Sequence, residues 1–470
     1  MTSLEKIEKL HSASMQILAR TGIVFRHDEA LAACRKYGLK VDGQKAYFTE
    51  RQVMDLLALA PRSFTVTPYN SQKAVTPGSG QTSWATGGGA SNVLEPDSTH
   101  RPATFKDYVD FLKIGHMSPV LTSLSNLVVQ ATDLPLEQAS PLKFFYASQI
   151  SDKVLVVVNS DHQTNQKILA AAAALYGGEK ELAREPRFFG IVSTISPLQL
   201  DSHAVDALID WARAGQPSAV TPCTMAGSTG PMTLAGSLAL SNAETVAGLA
   251  LSQIIRPGAP VLYGCQSTTA DPRTASISIG APEQSVFIEY GAALAHFYGL
   301  PCRGGGLLTD ADRVNVQSGY EAMMTGLATR RAGYDLAMHG TGIVCGYAAI
   351  SFEQFIVDLE ILGMIERSMD DLKVDDGELA LNLIDALGSE GGYLTHAHTT
   401  KNCRRNWIPK VSYRGHLGGP ENKDMLSTKI ASEKKKLLES YQPPDLPPTA
   451  IKDMQTALGK FGVAGGKLFD

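Results

Sequence analysis

The stretch KVLVVVNSDHQTNQKILAAAAALYGGEKELAREPRFFGIVSTIS (residues 153–196) contains the unit that decides the fold. It begins with a β-branched apolar run at 153–159 and ends with a second such run at 188–196. Between them, residues 162–177 place apolar side chains three and four positions apart. Short β-branched runs predict buried strands, and the intervening spacing predicts a helix. A strand, a helix and a second strand in this order form the repeating unit of parallel sheets.

This unit repeats over most of the chain, where eight apolar runs are separated by helical patterns. The runs are QTSWATGG (81–88), VLTSLSNLVV (120–129), KVLVVVN (153–159), FFGIVSTIS (188–196), SAVTPCTM (218–225), PVLYGCQS (260–267), PCRGGGLL (301–308) and DLAMHGTG (335–342). Eight strands with intervening helices predict an α/β fold of the (β/α)8 or TIM-barrel type. A doubly wound open sheet is the alternative that the pattern leaves open.

The segments on either side of these runs have helical patterns that end at glycine or proline. We therefore predict three regions. Residues 1–80 form a helical N-terminal extension, residues 81–345 form the barrel core, and residues 346–470 form a helical C-terminal region that closes on the barrel.

Composition excludes several classes of protein. The 470 residues include 42 basic and 47 acidic side chains, for a net charge of -5, so a broad basic surface for nucleic acid is not expected. The longest apolar segment, LAGSLALSNAETVAGLALSQII, is interrupted by polar residues, and we expect no membrane span. Without a readable secretory signal, and with six cysteines but no CxxC, the chain is expected to be cytoplasmic with free thiols.

Motifs for the common nucleotide and hydrolase chemistries are missing from the sequence. The glycine-rich segments GGGASN and GCQSTT lack the spacing of a phosphate-binding loop followed by lysine, and GxGxxG does not occur. GxSxG, the motif of a serine nucleophile on a strand-to-helix turn, does not occur either. Nucleotide binding and serine hydrolysis are therefore disfavoured.

Two sets of residues could hold a metal ion. His396 and His398 have the alternate spacing that places two imidazoles on one side of a strand, although a glycine-rich surface loop explains them equally simply. Cys223 and Cys265 lie near the ends of successive predicted strands, and Cys345 follows the eighth. Because cysteine is often a small apolar core residue, we expect no metal bound by the polypeptide.

The functional residues of a barrel lie at the carboxyl ends of its strands. His339 ends the eighth run and is followed by glycines that let a ligand approach the backbone, so it could donate to a carboxylate. Trp84 ends the first run, and Tyr347 and Phe352 follow the eighth, which neighbours the first in a closed barrel. Three converging aromatic rings would form a cage for a quaternary ammonium group.

Four polar residues are weaker candidates for substrate binding, since only their position at strand ends selects them. They are Asn126, Gln130, Asp310 and Arg313. Arg313 could instead contact a partner protein or pair with Asp312 on the surface.

Long blocks between residues 84 and 363 resemble the trimethylamine methyltransferase superfamily, whose members are corrinoid-dependent (β/α)8 barrels. The resembling blocks are WATGGGASNVLEPD, TMAGSTGPMTLAGSLAL, GAPEQSVFIEYGAALAHFYGLPCRGGGLLTDA, VQSGYEAMMTGLATRRAGYDLAMHGTG and SFEQFIVDLEILG. The resemblance implies transfer of a methyl group from an amine to the Co(I) corrinoid of a separate carrier protein.

The resemblance also narrows the substrate. Archaeal trimethylamine enzymes of this superfamily use pyrrolysine, whereas this sequence contains only the twenty standard residues. A quaternary amine needs no further activation because it leaves as a neutral tertiary amine. The sequence therefore predicts a methyltransferase for glycine betaine or a similar betaine.

In this reading cobalt is the nucleophile, so we expect no catalytic side chain, only residues that bind and orient the substrate. Trp84, Tyr347 and Phe352 would face the methylated nitrogen, and His339 would donate to the substrate carboxylate. Two alternatives stay open. One is a zinc-thiolate methyltransferase or hydrolase using Cys223, Cys265 and His339, and the other is a quaternary-amine binding protein without catalysis. Apolar helices such as EILGMIERSM could also pack against a second copy of the chain.

Overall fold

A closed barrel of eight parallel strands forms the centre of the computed structural model, which describes residues 3–415 and 425–466. Each strand pairs with the next in the chain, and β8 closes the ring by pairing with β1. The strands are β1 Ser83–Ala85, β2 Leu121–Ser125, β3 Val154–Val158, β4 Phe188–Ser193, β5 Ser218–Thr221, β6 Val261–Cys265, β7 Cys302–Gly304 and β8 Leu336–Ala337. All eight predicted runs form barrel strands, so the TIM-barrel prediction is confirmed and the open sheet is wrong.

Helices surround the barrel and extend beyond it at both ends of the chain. They are α1 Leu4–Arg20, α2 Asp28–Tyr37, α3 Glu50–Leu57, α4 Phe105–Met117, α5 Leu136–Ile150, α6 His162–Leu175, α7 Glu179–Arg184, α8 Ser202–Arg213, α9 Leu234–Ile255, α10 Pro282–Phe297, α11 Val316–Ala332, α12 Phe352–Ser368, α13 Asp376–Leu379, α14 Leu381–Leu387, α15 Ala397–Asn402, α16 Met425–Glu439 and α17 Pro448–Gly459. Local sequence sets their ends. For example, α11 begins at a capping box formed by Asn315 and Ser318 and ends at Gly333, which has φ +78°.

The barrel interior is a packed apolar core at its amino end. Alternate strand residues point inward, and they include Ala85, Val154, Val156, Phe189, Ile191, Ala219, Leu262 and Leu336. A small β-bridge between Val66 and Val75 belongs to this cluster together with Phe64. The hairpin at 64–75 therefore plugs the amino end of the barrel.

A second, larger core fills the space between the strands and the helices. Its most apolar helix is α9, the only one in the described part of the chain that is long and apolar enough to cross a membrane by length and composition. In the structure 89% of its most apolar window is buried, as it packs against α1, α3 and the barrel strands. A core helix of this kind passes the same test, so α9 is weak support for a membrane span.

Short strands outside the barrel tie its loops together. In the N-terminal region Ile23–Phe25, Lys40–Asp42 and Lys45–Tyr47 form a sheet with Gln199–Leu200 from the loop after β4. The three N-terminal strands were not predicted, because each is only three residues long. At the mouth, Ala349–Ser351 pairs with Ile343–Val344 on one side and with Asn92–Leu94 on the other, and Asn92–Leu94 also pairs with His100–Pro102. In a second small sheet, Met225–Ala226 pairs with Thr268–Ala270, which pairs with Ile277–Ser278. Single 3-10 turns occur at Ser71–Lys73, Gly388–Glu390, Tyr393–Thr395 and Cys403–Arg405.

Candidate active site

A cavity of about 200 Å³ opens at the carboxyl end of the barrel, where the loops after the strands meet. It is lined by Gly88, Ile191, Ser193, Thr221, Cys223, Gln266, Arg303, His339 and Tyr347. These residues come from six of the eight strands or the loops that follow them. The cavity is smaller than the pockets that bind drug-sized ligands, so it fits a small molecule.

A buried cation lies in the cavity wall. Arg303 is only 3% exposed, and its Nη1 donates to Oε1 of Gln266 at 3.2 Å. Its Nε is buried without a hydrogen-bond partner, and among the described residues no carboxylate forms an ion pair with it. Burial lowers the pKa of Arg303 to about 10, so the guanidinium is still charged at neutral pH. A buried charge without a counter-ion is costly, which indicates that an anion belongs beside it.

Gln266 connects this cation to an aromatic ring. Its Nε2 donates to the hydroxyl oxygen of Tyr347 at 2.8 Å, while its Oε1 accepts from Arg303. The ring of Tyr347 lies 4.9 Å from the imidazole of His339, centroid to centroid, at an interplanar angle of 59°. The four side chains, Arg303, Gln266, Tyr347 and His339, are therefore in contact with one another around the cavity.

His339 lies in the cavity wall as a neutral base. Its Nδ1 is buried and has no hydrogen-bond partner. Withdrawal of the imidazole from water, together with the charge of Arg303, lowers its pKa to about 3. At neutral pH the ring is thus uncharged, with one N–H to donate and one nitrogen to accept.

The loop after β8 holds His339 and Tyr347 in strained backbone conformations. Both residues have positive φ angles, +57° and +72°, and Cys345 between them has φ +53°. Such angles are rare outside glycine and cluster at functional sites. Gly306 permits the close approach of this loop, because a Cβ at that position would lie 2.3 Å from the carbonyl oxygen of Met338.

The cysteines do not assemble into a zinc site. Cys223 lines the cavity, and its side chain is exposed. Cys265 instead contacts the carbonyl oxygen of Phe287 in α10, and Cys345 lies 3.7 Å from Nε2 of His100. Among the described residues no three His, Cys, Asp or Glu side chains are grouped to hold a metal. The residues of the zinc-thiolate alternative therefore do not fit that ion.

The predicted three-ring cage is wrong. Trp84 points outward from β1, is 1% exposed, and donates from Nε1 to Glu366 of α12 at 2.7 Å. Phe352 lies between helices and stacks on Phe111 at 3.8 Å, with Lys434 above its ring. Only Tyr347 of the three aromatic residues reaches the cavity.

The four weaker candidates also lie outside the cavity wall. Gln130 accepts from Lys143, Asp310 accepts from the backbone N–H groups of residues 279 and 280, and Arg313 pairs with Asp312 on the surface. Asn126 is buried after β2, and its Oδ1 has no hydrogen-bond partner. Each side chain except Asn126 thus has a local role that explains its position.

The histidine pair at 396 and 398 has a structural role. Nδ1 of His396 accepts from the backbone N–H of His398 and caps the short helix α15. The two rings therefore do not form a ligand pair on a strand.

Arg303 and Gln266 were missed by the sequence reasoning. Both stand inside runs that were read for their apolar character, PCRGGGLL and PVLYGCQS. A charged residue inside a barrel strand is itself a signal, since charges are almost never buried without a partner.

Comparison with known proteins agrees with this architecture. The family model described as trimethylamine methyltransferase matches residues 1–461. The chain belongs to this family. The superfamily resemblance read from the sequence is therefore confirmed, and the chain is a methyltransferase homologue over its whole length.

Two relatives and one solved structure show how far the similarity extends. The glycine betaine methyltransferase of Desulfitobacterium hafniense (strain Y51) is 35% identical over 467 residues, covering 98% of this chain and 97% of that protein. The proline betaine:corrinoid methyltransferase of Eubacterium limosum is 29% identical, covering 95% and 94%. The crystal structure of the Methanosarcina barkeri monomethylamine methyltransferase matches with a TM-score of 0.53 at 11% identity, covering 99% of this chain and 89% of that chain. The last match shows a shared fold.

Proposed function

We propose that the protein transfers a methyl group from a zwitterionic quaternary amine, glycine betaine or a close analogue, to the Co(I) corrinoid of a separate carrier protein. The observation that carries this proposal is the buried guanidinium of Arg303, which lies beside a small cavity at the barrel mouth and has no carboxylate partner within residues 3–415 and 425–466.

Arg303 favours a substrate that carries its own carboxylate. The residues lining the cavity include this cation but no Asp or Glu. A simple methylammonium ion would meet an uncompensated positive charge there, whereas the carboxylate of a betaine would compensate it. His339 would donate a second hydrogen bond to the same carboxylate, and the lack of a hydrogen-bond partner for its Nδ1 supports this role.

Tyr347 is the ring that would face the methylated nitrogen. A single tyrosine contributes about 0.5–2 kcal/mol to binding a cation, less than a complete cage. Weak attraction suits the reaction, because positive charge on nitrogen falls in the transition state and strong binding of the cation would favour the ground state.

The cavity also suits a displacement that needs no proton transfer. The Co(I) of a bound carrier would supply the nucleophile, and the substrate nitrogen would leave as a neutral tertiary amine. The cavity side chains need only hold the carboxylate and direct one methyl group toward the opening. The groups around the cavity agree with this role, since the pKa values of His339 and Arg303, about 3 and 10, both lie far from neutrality.

The rim of the barrel mouth supports docking of a carrier protein. Large apolar side chains are exposed in the loops or first helical turns after β2, β4, β5 and β7, on all sides of the opening. They are Leu136, Ile195, Met232, Val316 and Tyr320. Exposed apolar residues around a functional cavity are typical of a protein interaction site.

The names of the relatives agree in chemical class, since two of them are methyltransferases of betaines. The direct test is a screen of glycine betaine, proline betaine, carnitine and trimethylamine with free cob(I)alamin, following loss of the Co(I) absorbance. We expect turnover of at least one carboxylated quaternary amine and none of trimethylamine. Turnover confined to trimethylamine, or no methylation with any of these amines, would overturn the proposal.

A further inference from the structure

A carboxyl group of α12 contacts the loop that carries His339 and Tyr347. Oδ2 of Asp358 accepts a hydrogen bond from the backbone N–H of Gly342 at 2.6 Å, and its Oδ1 lies 2.7 Å from the side-chain amide of Gln354. Asp358 and Gln354 are both fully buried, and neither lines the cavity. Asp358 therefore supports the loop from the side opposite the cavity.

The loop, residues 339–347, needs such support because its backbone is strained. His339 and Tyr347 both have positive φ angles, and Gly342 between them has φ +82°. Strained conformations persist only where surrounding contacts hold them. The bond from Gly342 to Asp358 holds the loop midway between the two residues that reach the cavity.

Two other loops of the mouth are held in a related way. Glu244 of α9 accepts from the backbone N–H of Leu198 after β4 at 2.8 Å, and Glu321 of α11 accepts from that of Asp310 after β7 at 2.9 Å. Both carboxyl groups also accept from hydroxyl groups of their loops. Asp358 differs because its side-chain partner is an amide and because its loop supplies two residues of the cavity wall.

Asp358 has no cation to balance a negative charge. Across residues 3–415 and 425–466 it forms no ion pair, and a buried carboxylate without a counter-ion is costly. Withdrawal from water raises the pKa of Asp358 well above the ordinary value of a carboxyl group, although the bonds from Gly342 and Gln354 act in the opposite direction. Both observations favour the carboxylic acid over the carboxylate.

The side chain of Gln354 supports the same protonation state. Its Oε1 is buried without a hydrogen-bond partner, while its Nε2 lies against Asp358. The oxygen and nitrogen of an amide have nearly the same shape, so a half-turn of the amide places Oε1 against the carboxyl group instead. The separation of 2.7 Å is typical of an O–H···O bond. A protonated Asp358 would then donate to Gln354 and still accept from Gly342.

We propose that Asp358 is a positioning residue in its protonated form, which accepts from Gly342, donates to Gln354 and so holds His339 and Tyr347 at the cavity. The roles of those two side chains rest on the proposed function. Asp358 acts through the loop and contacts neither the substrate nor the cobalt.

The first test compares two substitutions in the full chain. Asp358→Asn keeps an acceptor for Gly342 and a donor for Gln354, so kcat/KM for glycine betaine with free cob(I)alamin should stay within about threefold of wild type. Asp358→Ala removes both bonds and should lower kcat/KM by about 10- to 100-fold, because the loop no longer holds the binding residues in place. Wild-type kinetics in the alanine variant overturn the positioning role, and equal losses in both variants overturn the protonated form.

Glu360 provides a matched control on the same helix. It is 5% exposed, accepts from the backbone N–H groups of Lys410 and Ser412 at 3.0 and 3.3 Å, and does not line the cavity. Glu360→Ala should therefore lower the melting temperature, as Asp358→Ala does, but leave kcat/KM unchanged. Equal losses of kcat/KM in the two alanine variants would show a general effect of stability and overturn the specific role of Asp358.

Hydrogen exchange measures the support of the loop without turnover. Peptides that cover residues 339–347 should exchange faster in Asp358→Ala than in wild type, but not in Asp358→Asn or Glu360→Ala. Unchanged exchange in Asp358→Ala overturns the proposal.

Infrared spectroscopy measures the protonation state, also without turnover. The difference spectrum of wild type minus Asp358→Asn at neutral pH should contain the C=O band of a protonated carboxyl group, and a carboxylate band in its place overturns the protonated form. If the wild-type chain methylates no betaine, the proposed function fails, and the exchange and infrared measurements still decide the role of Asp358.

Discussion

The barrel mouth and segment 371–405, which follows α12 and has no buried residue, are both incomplete, but in opposite ways. At the mouth, Arg303 and His339 present polar atoms without partners inside a protected cavity. In segment 371–405, residues such as Leu381 and Leu394 present apolar side chains to solvent. An unsatisfied polar group in a small cavity indicates a small polar ligand, whereas an exposed apolar surface indicates another protein. The missing partner can thus be classified by what each region lacks.

The largest expected effect comes from removing the cation of the mouth. Arg303→Ala should raise KM for glycine betaine by roughly 30- to 3,000-fold, because it removes charge-assisted bonds to the carboxylate. Arg303→Lys, which keeps the charge, should lose much less. Michaelis kinetics with free cob(I)alamin measure both.

The melting temperature of Arg303→Ala distinguishes a loss of substrate binding from misfolding. Arg303→Ala removes a buried charge without a counter-ion, so the melting temperature should not fall. Kinetics equal to wild type in a folded Arg303→Ala variant would remove the guanidinium from the site and weaken the contrast between the two regions.

Replacing Tyr347, the aromatic residue at the mouth, should have a smaller effect. Tyr347→Leu should reduce kcat/KM by about 2- to 30-fold, the value of one cation–π contact. Tyr347→Phe, which keeps the ring and loses the hydrogen bond from Gln266, should retain more activity than the leucine variant. Equal losses in both variants would indicate that the hydroxyl, and not the ring, is the feature that matters.

The pH dependence follows from the same groups. The pKa of Arg303 is lowered to about 10 and that of His339 to about 3, so kcat/KM should be level between these values and fall above about 10 as the guanidinium loses its proton. Stability responds on the acid side. The lowered pKa of His339 favours the folded state above 6.5, and this contribution is lost as pH falls from 6.5 toward 3.

Thermal unfolding at acidic pH measures this loss of stability directly. His339→Gln should flatten the decline of the melting temperature between pH 6.5 and 4 relative to wild type. An identical decline in both proteins would show that His339 is not held neutral by the fold.

Replacing Trp84, which lies in neither region, should change the stability of the fold but not substrate binding. Trp84→Phe removes the hydrogen bond to Glu366 and should destabilise the fold by about 1–3 kcal/mol. Its KM should match wild type, because the side chain points away from the cavity. A raised KM with unchanged stability would return Trp84 to the site.

The smallest kinetic effect is expected for substitutions in segment 371–405. Leu381→Asp with Ile384→Asp should leave kcat/KM with free cob(I)alamin within about twofold of wild type, because both side chains are exposed and do not line the cavity. A large loss of turnover would show that the two regions are coupled.

The fold could be predicted because each barrel strand is a compact apolar run followed by a helical pattern. The site could be predicted only in part. His339 and Tyr347 were found from the glycine-rich loop after the last strand, and both line the cavity. Trp84 was misplaced because its position at a strand end was considered without the alternation of side chains, which points Ala85 inward and Trp84 outward.

Other errors came from contacts that sequence does not show. Phe352 begins α12, and only the packing of α4 and α12 reveals that its ring stacks on Phe111. Arg303 was hidden in a run that otherwise reads as apolar. The fact that it lacks a counter-ion depends on which loops surround it, and those loops come from distant parts of the chain.

The hairpin at 64–75 determines the end of the barrel at which substrates bind and products leave. The hairpin fills the amino end of the barrel. The amine, the methyl acceptor and the demethylated product would therefore all use the opening at the barrel mouth. An acceptor that arrives first would shut the amine out, and a product cannot leave until the acceptor has gone. This arrangement predicts compulsory-order kinetics, in which the amine binds before the acceptor protein. Excess acceptor protein should then inhibit the reaction.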